Sequence, residues 1–105
     1  MRKCALTSGL VAIGVTLGLA GSPTAYADDA AFVRDVQALG FVQRQDNLIS
    51  MAKSACHFLY LNRAPQEIEA RIARYSRIDP PEKAHPFFVL AVNTYCPQYA
   101  GVVGA

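Results

Sequence analysis

Glycine is missing from the whole stretch between Phe41 and Ala100. A fold built of tight β-hairpins needs residues that accept positive φ at its turns, so this gap argues against an all-β chain. An excess of one charge is missing as well. The 105 residues carry a formal +2, which disappears once Arg2 and Lys3 are set apart, because eight basic and eight acidic side chains then remain. A domain without net charge has no general attraction for phosphate backbones or anionic bilayers, which excludes an electrostatically driven nucleic-acid binder. No glycine-rich phosphate loop, His-x-x-x-His pair, Gly-x-Ser-x-Gly elbow or Cys-x-x-Cys pair occurs. Close carboxylates occur only as Asp28-Asp29 and as Glu67 and Glu69. The first pair is terminal and the second points to different sides of a helix, so neither supports acid–base catalysis. Cys56-His57 is no thiol–imidazole couple either, because adjacent residues on a helix diverge by about 100°. The sequence is not that of an enzyme, and it calls for no cofactor.

What is present begins with an address. Met1-Arg2-Lys3 is basic, Cys4 to Gly21 is an uncharged apolar run, and Ala25-Tyr26-Ala27 precedes Asp28-Asp29. A cationic start, an apolar segment and small residues at −3 and −1 are the layout of a secretory signal cut after Ala27. A permanent anchor is the rival, since about 18 apolar residues reach the lower limit for a bilayer span. The run contains Gly9, Gly14, Gly18 and Gly21, however, and ends in an Ala-x-Ala site. Cys4 precedes the apolar run and so cannot be the lipidated first residue after a cut. The chain therefore divides into a signal peptide (1–27), a helical domain (28–98) and a mobile C-terminal tail (99–105). The mature protein is expected to be secreted, extracellular or in the cell envelope, with no stable membrane anchoring.

The mature 78 residues, 40 of them apolar, read as an all-α bundle of about four short helices. Asp28 and Asp29 are placed to cap the first, about residues 29–39. Phe32, Val33, Val36 and Leu39 form its apolar stripe, and Gly40 its C′ residue, with Phe41 folding back. Residues 41–47 connect to a second helix capped by Asp46 or Asn47 and running to about Asn62. Its apolar face is Leu48, Ile49, Ala52, Ala55, Cys56 and Leu59. Pro65 suits the first turn of a third helix. There Ile68, Ile72 and Tyr75 point inward, and Glu67–Arg71 forms an i,i+4 pair. Asp79-Pro80-Pro81-Glu82 reads as a capped start for the fourth. Pro86 then predicts a kink near 82–86, or a short turn followed by the main helix 86–96. Pro97 ends that helix.

Removing the signal takes Cys4 with it and leaves Cys56 and Cys96. An even count in a small exported domain argues for a disulfide, here clamping the last helix to the second. A catalytic thiol and a metal site helped by His57 and His85 are the weaker alternatives. Tyr95-Cys96-Pro97-Gln98 closes an Ala/Val-rich helix, with a cysteine about 40 residues earlier and a Phe…Leu-Gly first helix. In these features the chain resembles the actinobacterial, largely mycobacterial, secreted family called domain of unknown function 732, over about residues 28–98. Ala52 stands where that family often has glycine. The resemblance implies a small helical exported domain with one disulfide and no assigned activity.

Two function classes remain. Nine aromatic residues in the mature chain serve mainly as core, yet a cleft among them would take a flat apolar ligand such as haem or a lipid fragment. His57, Tyr60 and His85 are the candidate ligand contacts in that case. The favoured class is an interaction module for a protein or envelope partner. It would use Phe58, Leu61, Tyr99 and Val102-Val103 as apolar contacts, with Arg71, Arg74 and Arg77 as a basic rim. A dry histidine-bounded pocket would favour the carrier, and an open aromatic surface the module. Intact-mass spectrometry of the exported protein should give an N-terminus at Asp28; a membrane-bound chain still starting at Met1 would contradict the signal assignment.

Overall fold

The computed structural model describes residues 21–104, with side chains from Asp28 onward. Most of the proposed signal, residues 1–20, lies outside the described residues. Helix α1 spans Gly21–Ala38, α2 Gln45–Tyr60, α3 Pro65–Ser76 and α4 Ala84–Tyr95. Short 3₁₀ turns at Pro81–Lys83 and Pro97–Val102 precede and follow α4. There is no strand among the described residues, and the all-α expectation holds.

α1 begins upstream of the expected start. Asp28 and Asp29 consequently lie inside the helix and are not its caps. The C-terminal end is as expected. Gly40 has φ +108°, its N–H bonds to the Gln37 carbonyl at 3.0 Å, and the Phe41 N–H reaches back to Val36 at 3.2 Å. This is a Schellman closure, and it carries Phe41 into the core. Asn62, at φ +64°, closes α2 the same way, with the Arg63 N–H on the Phe58 carbonyl at 2.9 Å.

Neither Asp46 nor Asn47 caps α2; the flanking residue is Arg44, with no side-chain cap. Asp46 lies in the first turn, where its charge still complements the helix dipole, and pairs with Arg44 at 3.3 Å. Pro65 takes the first position of α3 as expected. The Asp79 capping box does not form: the 3₁₀ turn intervenes, and α4 starts at Ala84 behind Lys83. Of the two arrangements Pro86 allowed, the short turn followed by the main helix is the one found. Pro86 is the third helical residue, where an N–H has no i−4 carbonyl to meet.

α4 is the element around which the others pack, touching α1, α2 and α3. It buries Ala84, Phe87, Phe88, Ala91 and Val92, an i, i+3, i+4, i+7, i+8 stripe. Phe87 receives Phe32 from α1 edge-on at 5.5 Å and Phe41 at 4.8 Å between ring centres. Phe32 also meets Tyr95 edge-on at 5.4 Å. Leu48, Met51, Ala52, Ala55 and Leu59 supply the α2 face, and Ile68 and Ile72 the α3 face.

Two expectations about packing are corrected. Tyr75 does not point inward; it is 68% exposed, and Ser76 is buried instead. The inward row is therefore 68, 72 and 76, a run of i+4 steps. Its last member is held by polar bonds that outweigh the pull of an aromatic ring. The Ser76 hydroxyl donates to the Ile72 carbonyl at 2.7 Å and accepts the Ile78 N–H at 3.2 Å. The Gln43 amide donates to the Ser76 carbonyl at 2.8 Å. The mobile-tail expectation also yields. Pro97–Val102 is a turn, the Tyr99 N–H bonds to the Cys96 carbonyl at 2.9 Å, and Val103 is buried. Pro97 stops the helix but fixes a φ that suits the turn, which returns Val103 to the apolar core.

Cys56 and Cys96 are bonded, with their Cα atoms 6.0 Å apart. The bridge joins the last turns of α2 to the end of α4, as the even cysteine count implied. Closing a loop of this length is worth about 4 kcal/mol in the chain-entropy model. Cys56→Ser, Cys96→Ser or reduction should each lower the melting temperature by well over 10 °C. A reductant-independent melting curve would show that the bond contributes nothing.

Candidate functional site

Among the described residues an open groove of about 780 Å³ lies between α2 and α3. The hairpin of these two helices builds it. Asn47, Ser50 and Ser54 are spaced i, i+3, i+7 on α2 and form a neutral polar wall that leads to Phe58. Arg71, Arg74 and Tyr75 on α3, with Arg77 just past its end, form the facing wall. Met51, Ala55, Ile68 and Ile72 lie between as a floor. That floor is already closed by packing: Ile68 is 1% and Ala55 2% exposed. The groove therefore has walls and a base, but no tunnel into the core.

Its electrostatics are one-sided. The Glu67–Arg71 pair expected from spacing is not made. Glu67 takes Arg63 at 2.9 Å one turn earlier, which leaves Arg71 to lie over the Phe58 ring, its guanidinium carbon 4.7 Å from the centroid. No carboxylate lines the groove. Among the described residues the carboxylate ion pairs involve Arg44, Arg63 and His85, and none involves the three groove arginines. Arg77 adopts φ +57° in the left-handed region, where glycine or asparagine costs less. On the other side of α3 a shallower dip of about 280 Å³ is lined by Glu69 and Glu82.

The residues proposed as ligand contacts do not converge. His57 is exposed on α2, its ring stacked near Tyr60 at 6.3 Å. His85 opens α4 and meets Glu69 at 2.5 Å. Tyr60 is 70% exposed. None of the three lines the groove. The residues proposed as apolar contacts divide: Leu61 and Val102 are exposed, Phe58 and Tyr99 half-buried, and Val103 buried. The sequence reading missed Asn47, Ser50, Ser54 and Tyr75 as groove residues. The polar i, i+3, i+7 row on α2 was the available signal for the first three.

A family model described as "Protein of unknown function (DUF732)" matches residues 27–98. The chain belongs to the DUF732 family. Within the matched span fall both bonded cysteines and every residue of the groove. Among curated proteins, the DUF732 chain is 28% identical over 93 residues to the uncharacterized proteins Rv1271c and MT1309 of Mycobacterium tuberculosis. The same figures hold for the uncharacterized protein Mb1302c of Mycobacterium bovis. Each alignment covers 88% of this chain and 81% of the relative. No solved structure matches the chain.

One further polar cluster in this DUF732 domain holds helices together. The Tyr95 hydroxyl donates to Asp29, tying α4 to α1, while Lys53 of α2 sits over the Tyr95 ring with Nζ 5.6 Å from its centre. Burial first, then the hydrogen bond and charge of Asp29 and the charge of Asp28, push the Tyr95 phenol far above its usual value near 10. A folded-state pKa above the unfolded one gives stability that is whole below pH 10 and is lost as pH climbs beyond it. Tyr95→Phe should be about 1 kcal/mol less stable at pH 7. In urea titrations from pH 8 to 12 its stability should also fall less steeply above pH 10 than the wild type's. Parallel curves would show that Tyr95 ionises as freely folded as unfolded.

Proposed function

We propose that this DUF732 protein is an exported interaction module of the cell envelope or extracellular space, and that the α2–α3 groove is its contact surface. The observation carrying this reading is the segregation of charge. A mature chain with equal numbers of acids and bases places three arginines around one groove and no carboxylate within it. Opposite charge supplied by a partner completes such a surface and guides encounter with it. The shallow, closed floor supports a partner lying across the groove over a small apolar molecule enclosed in it. The dispersal of His57, Tyr60 and His85, none of which lines the groove, favours this reading over a haem or lipid carrier built on those three side chains. The reading includes secretion after cleavage at Ala27 and no catalytic step. The neutral mature charge argues against nucleic acid as the partner. No helix among the described residues is long and apolar enough to cross a membrane.

Affinity capture from culture filtrate tests the surface directly. Wild type and an Arg71→Gln/Arg74→Gln/Arg77→Gln variant, matched for helical circular dichroism, are compared on the same filtrate. The wild type should retain a partner that the variant loses; equal retention by both would place the contact elsewhere.

A further inference from the structure

The identity of the occupant can be carried further, resting on the groove being the contact surface. We propose that the groove takes an extended acidic peptide segment of a protein partner, with carboxylates at alternate positions facing the arginine wall. Four observations support a peptide. The first is the neutral wall. Serine hydroxyls and an asparagine amide both donate and accept, which suits Asn47, Ser50 and Ser54 to a backbone presenting N–H and C=O groups in turn.

The second is length. From Arg71 to Arg77 the helix axis advances about 9 Å, which an extended strand covers in about three residues at ~3.3 Å each. Side chains two apart on a strand project to one side, so an acidic-x-acidic run sets two carboxylates against the stripe while the middle residue turns away. The third is the closed floor. Ile68 and Ala55 are almost wholly buried beneath it, and Arg71 covers the Phe58 face, so neither offers a broad apolar platform for an acyl chain or a sugar ring. Tyr75 remains exposed at the arginine wall as an apolar contact for a side chain.

The fourth is Arg77 itself. An arginine held at φ +57° occupies a conformation that glycine adopts with less strain. Its guanidinium at the groove end, with no carboxylate partner among the described residues, is the gain set against that strain. Guanidinium forks bind carboxylates through two parallel hydrogen bonds, and a paired stripe of them selects spacing as well as charge.

The test uses the oxidised protein and a labelled peptide, Ala-Glu-Val-Glu-Phe-Glu-Ala, read by fluorescence anisotropy and by amide shifts of Ser50, Ser54 and Tyr75. Binding should weaken steeply as salt rises toward 1 M, where the screening length falls to about 3 Å. The Glu→Gln peptide should bind at least about 10-fold more weakly, and Arg71→Gln or Arg74→Gln should each cost roughly 5- to 10-fold. Arg34→Gln, on α1 and outside the groove, should leave binding unchanged. Arg77→Gly should raise the melting temperature and weaken binding together, a pairing that a merely structural arginine does not give.

Uronate oligosaccharides and phosphatidylglycerol vesicles are run beside the peptide. If either binds through the arginines and the peptide does not, the peptide assignment is overturned and the groove reading stands. Peptide binding that ignores the arginine substitutions also overturns the assignment. If none of the three probes moves the groove amides, both readings fall.

Discussion

The arrangement depends on α4 being held against α2 at its C-terminal end. α4 is the most apolar of the helices described, and it meets each of the other three, so the core exists only while α4 stays seated. In a domain this small the apolar core alone provides only a few kcal/mol of net stability. The Cys56–Cys96 bond restrains the unfolded chain at the point where α4 would otherwise fray. The Asp29–Tyr95 hydrogen bond attaches α1 one residue away from that bridge. Two unlike links thus converge on the last turn of α4. Beyond them the chain turns at Pro97 and returns Val103 to the core.

With α2 and α4 fixed, α3 is set by its rotation about its own axis. Burying Ser76 in place of Tyr75 turns the row Ile68, Ile72 and Ser76 inward and brings Arg71, Arg74 and Tyr75 to the α2 side. The bonds from Ser76 to Ile72 and Ile78, and from Gln43 to the Ser76 carbonyl, hold that rotation. A buried hydroxyl with its partners in place costs little, whereas one stripped of them costs about 1–3 kcal/mol. The groove is thus a consequence of how α3 ends, and its basic wall follows from a polar contact on the opposite side of the helix.

Features governed by local chemistry were legible in the sequence. Gly40 as a left-handed C′ residue, Pro65 at a helix start, the break before Pro86 and the cysteine pairing all follow from backbone limits or from counting. Features governed by competition between distant groups were not. Tyr75 looked like core because aromatic rings usually are, and only the bonds from Gln43 and Ile78 show why Ser76 takes the place. Glu67 had two arginines within one turn, Arg63 and Arg71, and spacing alone does not choose between them. Phe58 decides the matter by offering Arg71 its ring face. The tail looked mobile because Pro97 ends the last helix before it, but the burial of Val103 depends on a surface that only the folded helices create. The site was half legible: the arginine row was visible, and the α2 wall facing it emerged only once the two helices were set side by side.

Residues 28–105 carry eight acidic and eight basic side chains, and the structure refines what that balance means. Arg44 and Arg63 are matched with Asp46 and Glu67, so the basic groove must be balanced by acids lying elsewhere. Glu69 and Glu82 line the far side of α3, and Asp28 and Asp29 lie on α1. Charges set apart by more than a screening length of about 8 Å do not neutralise one another locally. Residues 28–105 are therefore balanced in sum and cationic at one place. For the proposed acidic segment between α2 and α3, that combination needs both the clamp that fixes α2 and the polar lock that fixes the rotation of α3.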